Sequence, residues 1–162
     1  MGWFNWWRNE RPQITSERII GRVLRQFRLP TNEIEPGLWS VTAERRDTYQ
    51  VSLYLWAEDE QIHLAAACQI LVERDLIPRE LTLQLLEENH RLAIGSFRLA
   101  PQEQSRRVVL GRVVDSQSFP ERELLPLGET LIERMQRMVC KLYGMGLIIA
   151  GDEIPTRRTP HH

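Results

Sequence analysis

Cysteine is scarce: two residues in 162, Cys68 and Cys140, which form neither a Cys-x-x-Cys pair nor a zinc-ligand spacing. A disulfide-stapled scaffold is thereby excluded, and since both cysteines sit in apolar stretches (64–71 and 138–142), buried reduced thiols are expected. An excess of charge is lacking too. Lys and Arg number 21 against 22 Asp and Glu, a formal net charge of -1, so no overall field gathers nucleic acid, and no nucleic-acid partner is expected. Nowhere is there an uninterrupted apolar run long enough to span a bilayer, and the first residues lack the basic start and aliphatic run of a signal peptide. The expected compartment is the cytoplasm. Met-Gly opens the chain, but Trp6 stands where the myristoylation pattern requires Ser or Thr, so lipidation is not expected.

Recognisable reaction chemistry is also missing. Catalysis requires a nucleophile, a base and an oxyanion site, or a metal, and no such set is visible. His63 has no Cys, Asp or second His at ligand spacing, and His90 ends a helical segment, where a cation suits the dipole. Glu87-Glu88 point in different directions on a helix, and Glu58-Asp59-Glu60 lie in a turn, so both clusters read as solvated. Gly144-Met145-Gly146 lacks the glycine fingerprint of a phosphate loop and reads as a helix C-cap. The expectation is therefore no enzyme, with no catalytic residue, cofactor or metal site.

What is present is the composition of a single globular domain, 42% hydrophobic and 27% charged. Residues 1–13 form an aromatic arm closed by Pro12, residues 14–149 the domain, and residues 150–162 a polar, proline-punctuated tail. From Thr15 or Ser16, plausible N-caps, a helix runs to about Phe27 with Ile19, Ile20, Val23, Leu24 and Phe27 on one side and Arg18, Arg22, Arg25 and Arg28 opposite, a solvated basic face. After the Pro36-Gly37 turn signal, segments 38–44, 49–56 and 61–71 read as a meander of strands. The third has alanine-rich helical propensity, yet Ile62, Leu64, Ala66, Cys68 and Ile70 alternate, so strand is chosen. In the second, Tyr49, Val51, Leu53 and Leu55 face a core, leaving Tyr54 and Trp56 on a face that needs cover. A helix from Pro78 to Asn89 or His90, two strands at 94–100 and 107–116, and a long helical segment at 119–144, interrupted near Pro126 and Gly128, complete the order. The fold class is α+β, an antiparallel meander with flanking helices, in the order α-β-β-β-α-β-β-α.

At residues 85–99, Leu85-Leu86-Glu87-Glu88-Asn89-His90-Arg91-Leu92-Ala93-Ile94-Gly95-Ser96-Phe97-Arg98-Leu99, the chain resembles the helix-to-strand junction of the type III secretion chaperone-like superfamily, shared by YbjN-type proteins and the Tir-chaperone group. The pattern is a helix ending in leucines and Asn, a Gly-x-Phe-x-Leu strand, then a Val- and Leu-rich strand, here Val108-Val109-Leu110-Gly111-Arg112-Val113-Val114, and a long closing helix. The resemblance implies a bacterial homodimer without cofactor or active site that holds an extended or partly unfolded segment of another protein. The aromatic arm and the balanced charge depart from the family pattern.

The expected function is accordingly capture of a client protein or peptide on an apolar surface, as a chaperone-like protein or adaptor. Trp3, Phe4, Trp6 and Trp7, four large aromatics in one helical arc, and Tyr54 and Trp56 on the sheet are the candidate partner-binding residues. The Tyr54 and Trp56 face and the wide apolar face of the last helix also argue for a homodimer. The alternative is a peripheral assembly factor that uses the arm on a membrane surface.

Overall fold

A computed structural model describes residues 3–43, 49–70, 77–101 and 106–148, with side chains from Ile14 onward apart from Pro101 and Arg106. Strict alternation in Val51–Glu58, and the apolar Ile62, Leu64, Ala66, Cys68 and Ile70 at every second position of Gln61–Ile70, produce the two central strands, β3 and β4, joined by the two-residue loop Asp59-Glu60. Asp59 takes the left-handed turn conformation (φ 53°), which Asp tolerates better than most residues. The full order is α1 (Trp3–Leu24), β1 (Thr31–Glu35), β2 (Leu38–Thr42), β3, β4, α2 (Arg79–Arg91), β5 (Ser96–Pro101), β6 (Arg106–Asp115), a 3-10 turn (Glu121–Glu123) and α3 (Leu124–Gly144). The sheet is antiparallel throughout, ordered β1-β2-β3-β4-β6-β5.

The α+β class and the meander with flanking helices are as expected, with one strand added at the edge. β1 is exposed along its whole length and contains one apolar residue, Ile34, so no alternation announces it. Pro36-Gly37 is its hairpin loop to β2, with Gly37 at φ 83°.

All three helices pack on one face of the sheet. There, Leu53, Leu55, Ile62, Leu64, Ile70 and Leu110 from the strands meet Ile20 and Val23 of α1, Leu81 of α2, and Leu131, Met135 and Leu142 of α3, each fully buried. The apolar face of α3 is thus consumed inside one chain, which removes one of the two grounds for a dimer.

Two helix boundaries differ from the sequence reading. α1 continues through Pro12 to Trp3, so Ser16 is not an N-cap: it is buried, and its hydroxyl donates to the Asp59 carbonyl (2.9 Å) and meets the Ser116 hydroxyl (3.0 Å). α3 is not interrupted at Pro126 or Gly128. Pro126 lies in the first helical turn, where its missing N–H costs nothing, and Gly128 marks a close approach, since a Cβ there would stand 2.9 Å from Leu53 Cδ2 and from Phe27 Cζ. The C-cap reading of Gly144-Met145-Gly146 holds. Gly146 (φ 70°) donates to the Tyr143 carbonyl and Leu147 to the Leu142 carbonyl, the paired bonds of a Schellman motif.

Candidate functional site

Because strand side chains alternate, the face opposite the helices is built by Tyr54 and Trp56 of β3, Ala65 and Ala67 of β4, Arg107 and Val109 of β6, and Arg98 and Ala100 of β5. Ala65, Ala67 and Val109 are buried and form a second apolar cluster separate from the main core, flanked by half-buried Tyr54, Trp56 and Ala100. Among the described residues no helix lies on this cluster. Small side chains in the middle and large ones at the margin make a groove of about 620 Å³, whose rim carries Glu17, Glu35 and Glu58 at one end and Arg98 and Arg107 at the other. The Arg107 guanidinium stands 5.9 Å from the centre of the Tyr54 ring, a cation–π contact reaching from β6 to β3.

Trp56 is held from two sides. Its indole N–H donates to Glu58 (3.3 Å), and His63 stacks on it with ring centroids 4.8 Å apart and planes 16° from parallel. His63, isolated in the sequence, is therefore packing material for the groove wall, with Nε2 3.5 Å from the Glu58 carboxylate. Among the described residues no group of three or more His, Cys, Asp or Glu is arranged to hold a metal. Cys68 is buried on the helix-covered face and burial pushes its thiol up to about 11, so it stays protonated and inert at neutral pH. Cys140 is exposed on α3, against the expectation of burial, because its position falls outside the stripe of Met135, Met138, Val139 and Leu142.

The structure brings Tyr54 and Trp56 together in one groove wall. The side chains of Trp3, Phe4, Trp6 and Trp7 lie outside the described residues, as does the tail 150–162. Sequence reasoning missed Arg98 and Arg107, which alternation would have placed on the same face as Tyr54 once the strand order was known.

Both sheet edges are guarded. On β5 the Asn89 side chain takes the place of a neighbouring strand: its amide donates to the Phe97 carbonyl (2.9 Å) and its carbonyl accepts from the Phe97 N–H. On β1 the free edge is five residues long, carries Glu33 and Glu35, and is bulged between them.

A six-stranded antiparallel sheet with three helices on one face and a groove on the other defines the class of protein. The chain matches no protein-family model and no curated protein. Among solved structures it is similar to YbjN from E. coli, a proposed transcription regulator, at 12% identity over 83% of this chain and 95% of that one, with a TM-score of 0.65. A chain of the heterodimeric ExoU-SpcU complex from the type III secretion system of Pseudomonas aeruginosa aligns at 18% identity over 73% of this chain and 91% of that one, with a TM-score of 0.45. The YbjN-type part of the resemblance read at residues 85–99 therefore holds at the level of fold: the chain has the fold of YbjN.

Proposed function

We propose that this chain is a non-catalytic protein-binding protein, chaperone-like or an adaptor, that holds a segment of a client on the helix-free face of its sheet in the cytoplasm. The observation that carries the reading is the groove itself. Tyr54, Trp56 and Ala100 stay half-exposed around the buried Ala65, Ala67 and Val109 on the face opposite the helices, and this aromatic-walled groove supports the reading. Covering two half-buried aromatics contributes on the order of 1–3 kcal/mol each, enough for a reversible hold. The guarded edges argue for the face over strand addition. A second copy is proposed against α2, where Leu83 (44% exposed) and Leu86 (58% exposed) remain uncovered, leaving the groove to the client.

The test is a membrane-bound array of overlapping peptides from unrelated proteins, probed with the wild type and with a Tyr54→Ser/Trp56→Ser double variant. Apolar peptides retained by the wild type and lost by a folded double variant support the reading. No retention, or retention indifferent to the two substitutions, contradicts it.

A further inference from the structure

The continuity of α1 through Pro12 joins two features that the sequence places in separate segments, the aromatic arm and the basic face of the first helix. Pro12 forfeits one backbone hydrogen bond inside the helix without ending it. At about 100° per residue, the helical positions of Trp3, Phe4 and Trp7 share one arc, roughly 100° wide, with those of Arg11, Ile14 and Arg18. That arc lies opposite the side of α1 that packs on the sheet, where Ser16, Ile19, Ile20 and Val23 are buried. Its described part is bare. Ile14 is 44% exposed and Arg18 is exposed, as are Arg25 and Arg28 just past the helix end, and among the described residues none of the three arginines has an ion-pair partner. Arg22 is taken up by Glu121, and the acidic residues of α1, Glu10 and Glu17, fall outside the arc.

One helix face with aromatic residues in its first half, arginines in its second and no carboxylate of its own is complementary to an anionic bilayer surface. Trp and Phe rest at the boundary between headgroups and acyl chains, and arginine binds phosphate through its forked donors while its stem lies along apolar surface. A second copy of this chain offers no such complement, because pairing α1 with itself sets arginines against arginines. The 22 residues of α1 span about 33 Å, long enough to lie along a membrane. Since α1 belongs to the helix layer and its arc is on the side away from the sheet, a bilayer there leaves the groove on the far side open to solution.

We propose that α1 docks this protein on anionic lipid membranes, its aromatic N-terminal end at the interface and Arg18, Arg25 and Arg28 against lipid phosphates, with the groove turned away from the bilayer.

The probes are vesicles of phosphatidylcholine alone and of phosphatidylcholine with phosphatidylglycerol in equal parts, sedimented with the full chain. Binding is expected to be at least tenfold tighter to the anionic vesicles and to weaken as salt is raised. Trp3→Ser/Phe4→Ser/Trp7→Ser and Arg18→Glu/Arg25→Glu are each expected to lose at least tenfold at unchanged Tm, and Arg18→Lys/Arg25→Lys to retain most of the binding. Tyr54→Ser/Trp56→Ser, on the far side of the sheet, is expected to bind vesicles as the wild type does. A second readout keeps both halves of the face intact and decides the matter if a variant fails to fold. An environment-sensitive NBD dye on Ile14→Cys, in a Cys140→Ser background where buried Cys68 stays unlabelled, is expected to brighten and shift to the blue on anionic vesicles. Equal binding to both compositions overturns the inference, and so does an NBD signal unchanged by vesicles that sediment the protein. A loss confined to one of the two substituted sets overturns the shared face. No binding to either composition overturns it as well, and a dimer that then dissociates on the aromatic substitutions makes a second copy the occupant.

Discussion

Asn89 is the one polar residue in the pattern that carried the family resemblance, and its role is architectural. Its side-chain amide pairs with both backbone groups of Phe97, so the end of α2 is stitched to β5 and the strand's outer edge is closed at that point. Asn89→Ala leaves a partly buried N–H and C=O unpaired, and urea unfolding is expected to show a loss of about 2–3 kcal/mol. Asn89→Asp keeps the acceptor but loses the donor, so it should destabilise as well; a stability equal to wild type for either variant contradicts this role. Cys68 offers a different check, because desolvation raises its thiol from the ordinary 9.0 to about 11. The folded state therefore binds the proton more tightly than the unfolded one, so this contribution to stability is complete below pH 9 and declines as pH rises through 11. With a thiol reagent at pH 8, exposed Cys140 is expected to react within minutes and Cys68 only after denaturant is added. Two thiols reacting at once in the native protein would show that the region around β4 opens. Tyr54 and Trp56 were legible as outward-facing from alternation alone, whereas the arginines across the groove were not, since their relation to Tyr54 depends on β6 inserting between β4 and β5.

At the scale of elements, what was legible followed the strength of the periodic signal. β3 and β4 alternate, β6 is rich in Val and Leu, and α3 repeats Leu131, Met135, Met138 and Leu142 on one side, so their type and approximate bounds could be read directly. β1 could not, because an edge strand exposed on both faces has no apolar period to detect. The two helix starts were misjudged because local stop or cap signals misled: Pro126 falls in the first turn, where a proline is tolerated, and Ser16 and Gly128 are governed by tertiary contacts. Ser16 has distant partners in Asp59 and Ser116, and the Arg22 guanidinium, on the face read as solvated, forms a forked pair with Glu121 (2.6 and 3.2 Å) that ties α1 to the turn before α3. That pairing holds the Glu121 carboxyl below its usual range. Gly128 gives the sharpest test of this view. On an isolated helix Gly→Ala stabilises by about 1 kcal/mol. Here the new Cβ would press on Leu53 and Phe27, so Gly128→Ala is expected to lower Tm, and a raised Tm would mean that α3 does not seat as closely on β3. Gly95→Ala is expected to be worse, since its Cβ would meet the Gly111 carbonyl oxygen at 2.5 Å, backbone that cannot turn aside.

For the whole molecule, the division of labour is between two faces of one sheet. The helix-covered face holds the fold together, and the other face is left with an aromatic-walled groove and opposed charges at its ends. Substitutions in the groove should therefore change binding more than stability. Trp56→Ser removes a stacked, half-exposed ring and is expected to cost about 1 kcal/mol of fold stability or less, measurable by thermal melting beside the wild type. Light scattering is expected to give a dimer at micromolar concentration, and Leu86→Glu on α2 a monomer whose groove still binds peptide; loss of both together would place the client at the subunit interface instead. The most direct test of the central claim puts a photo-crosslinking benzoylphenylalanine at Tyr54 in the groove or, as control, at Tyr143, which is 44% exposed on the far side of the molecule on α3. Irradiated with an apolar peptide retained on the array, the position-54 protein is expected to form the adduct and the position-143 protein to form none. Adducts at position 143 alone, or equally at both, would contradict the assignment of the client to the open face of the sheet.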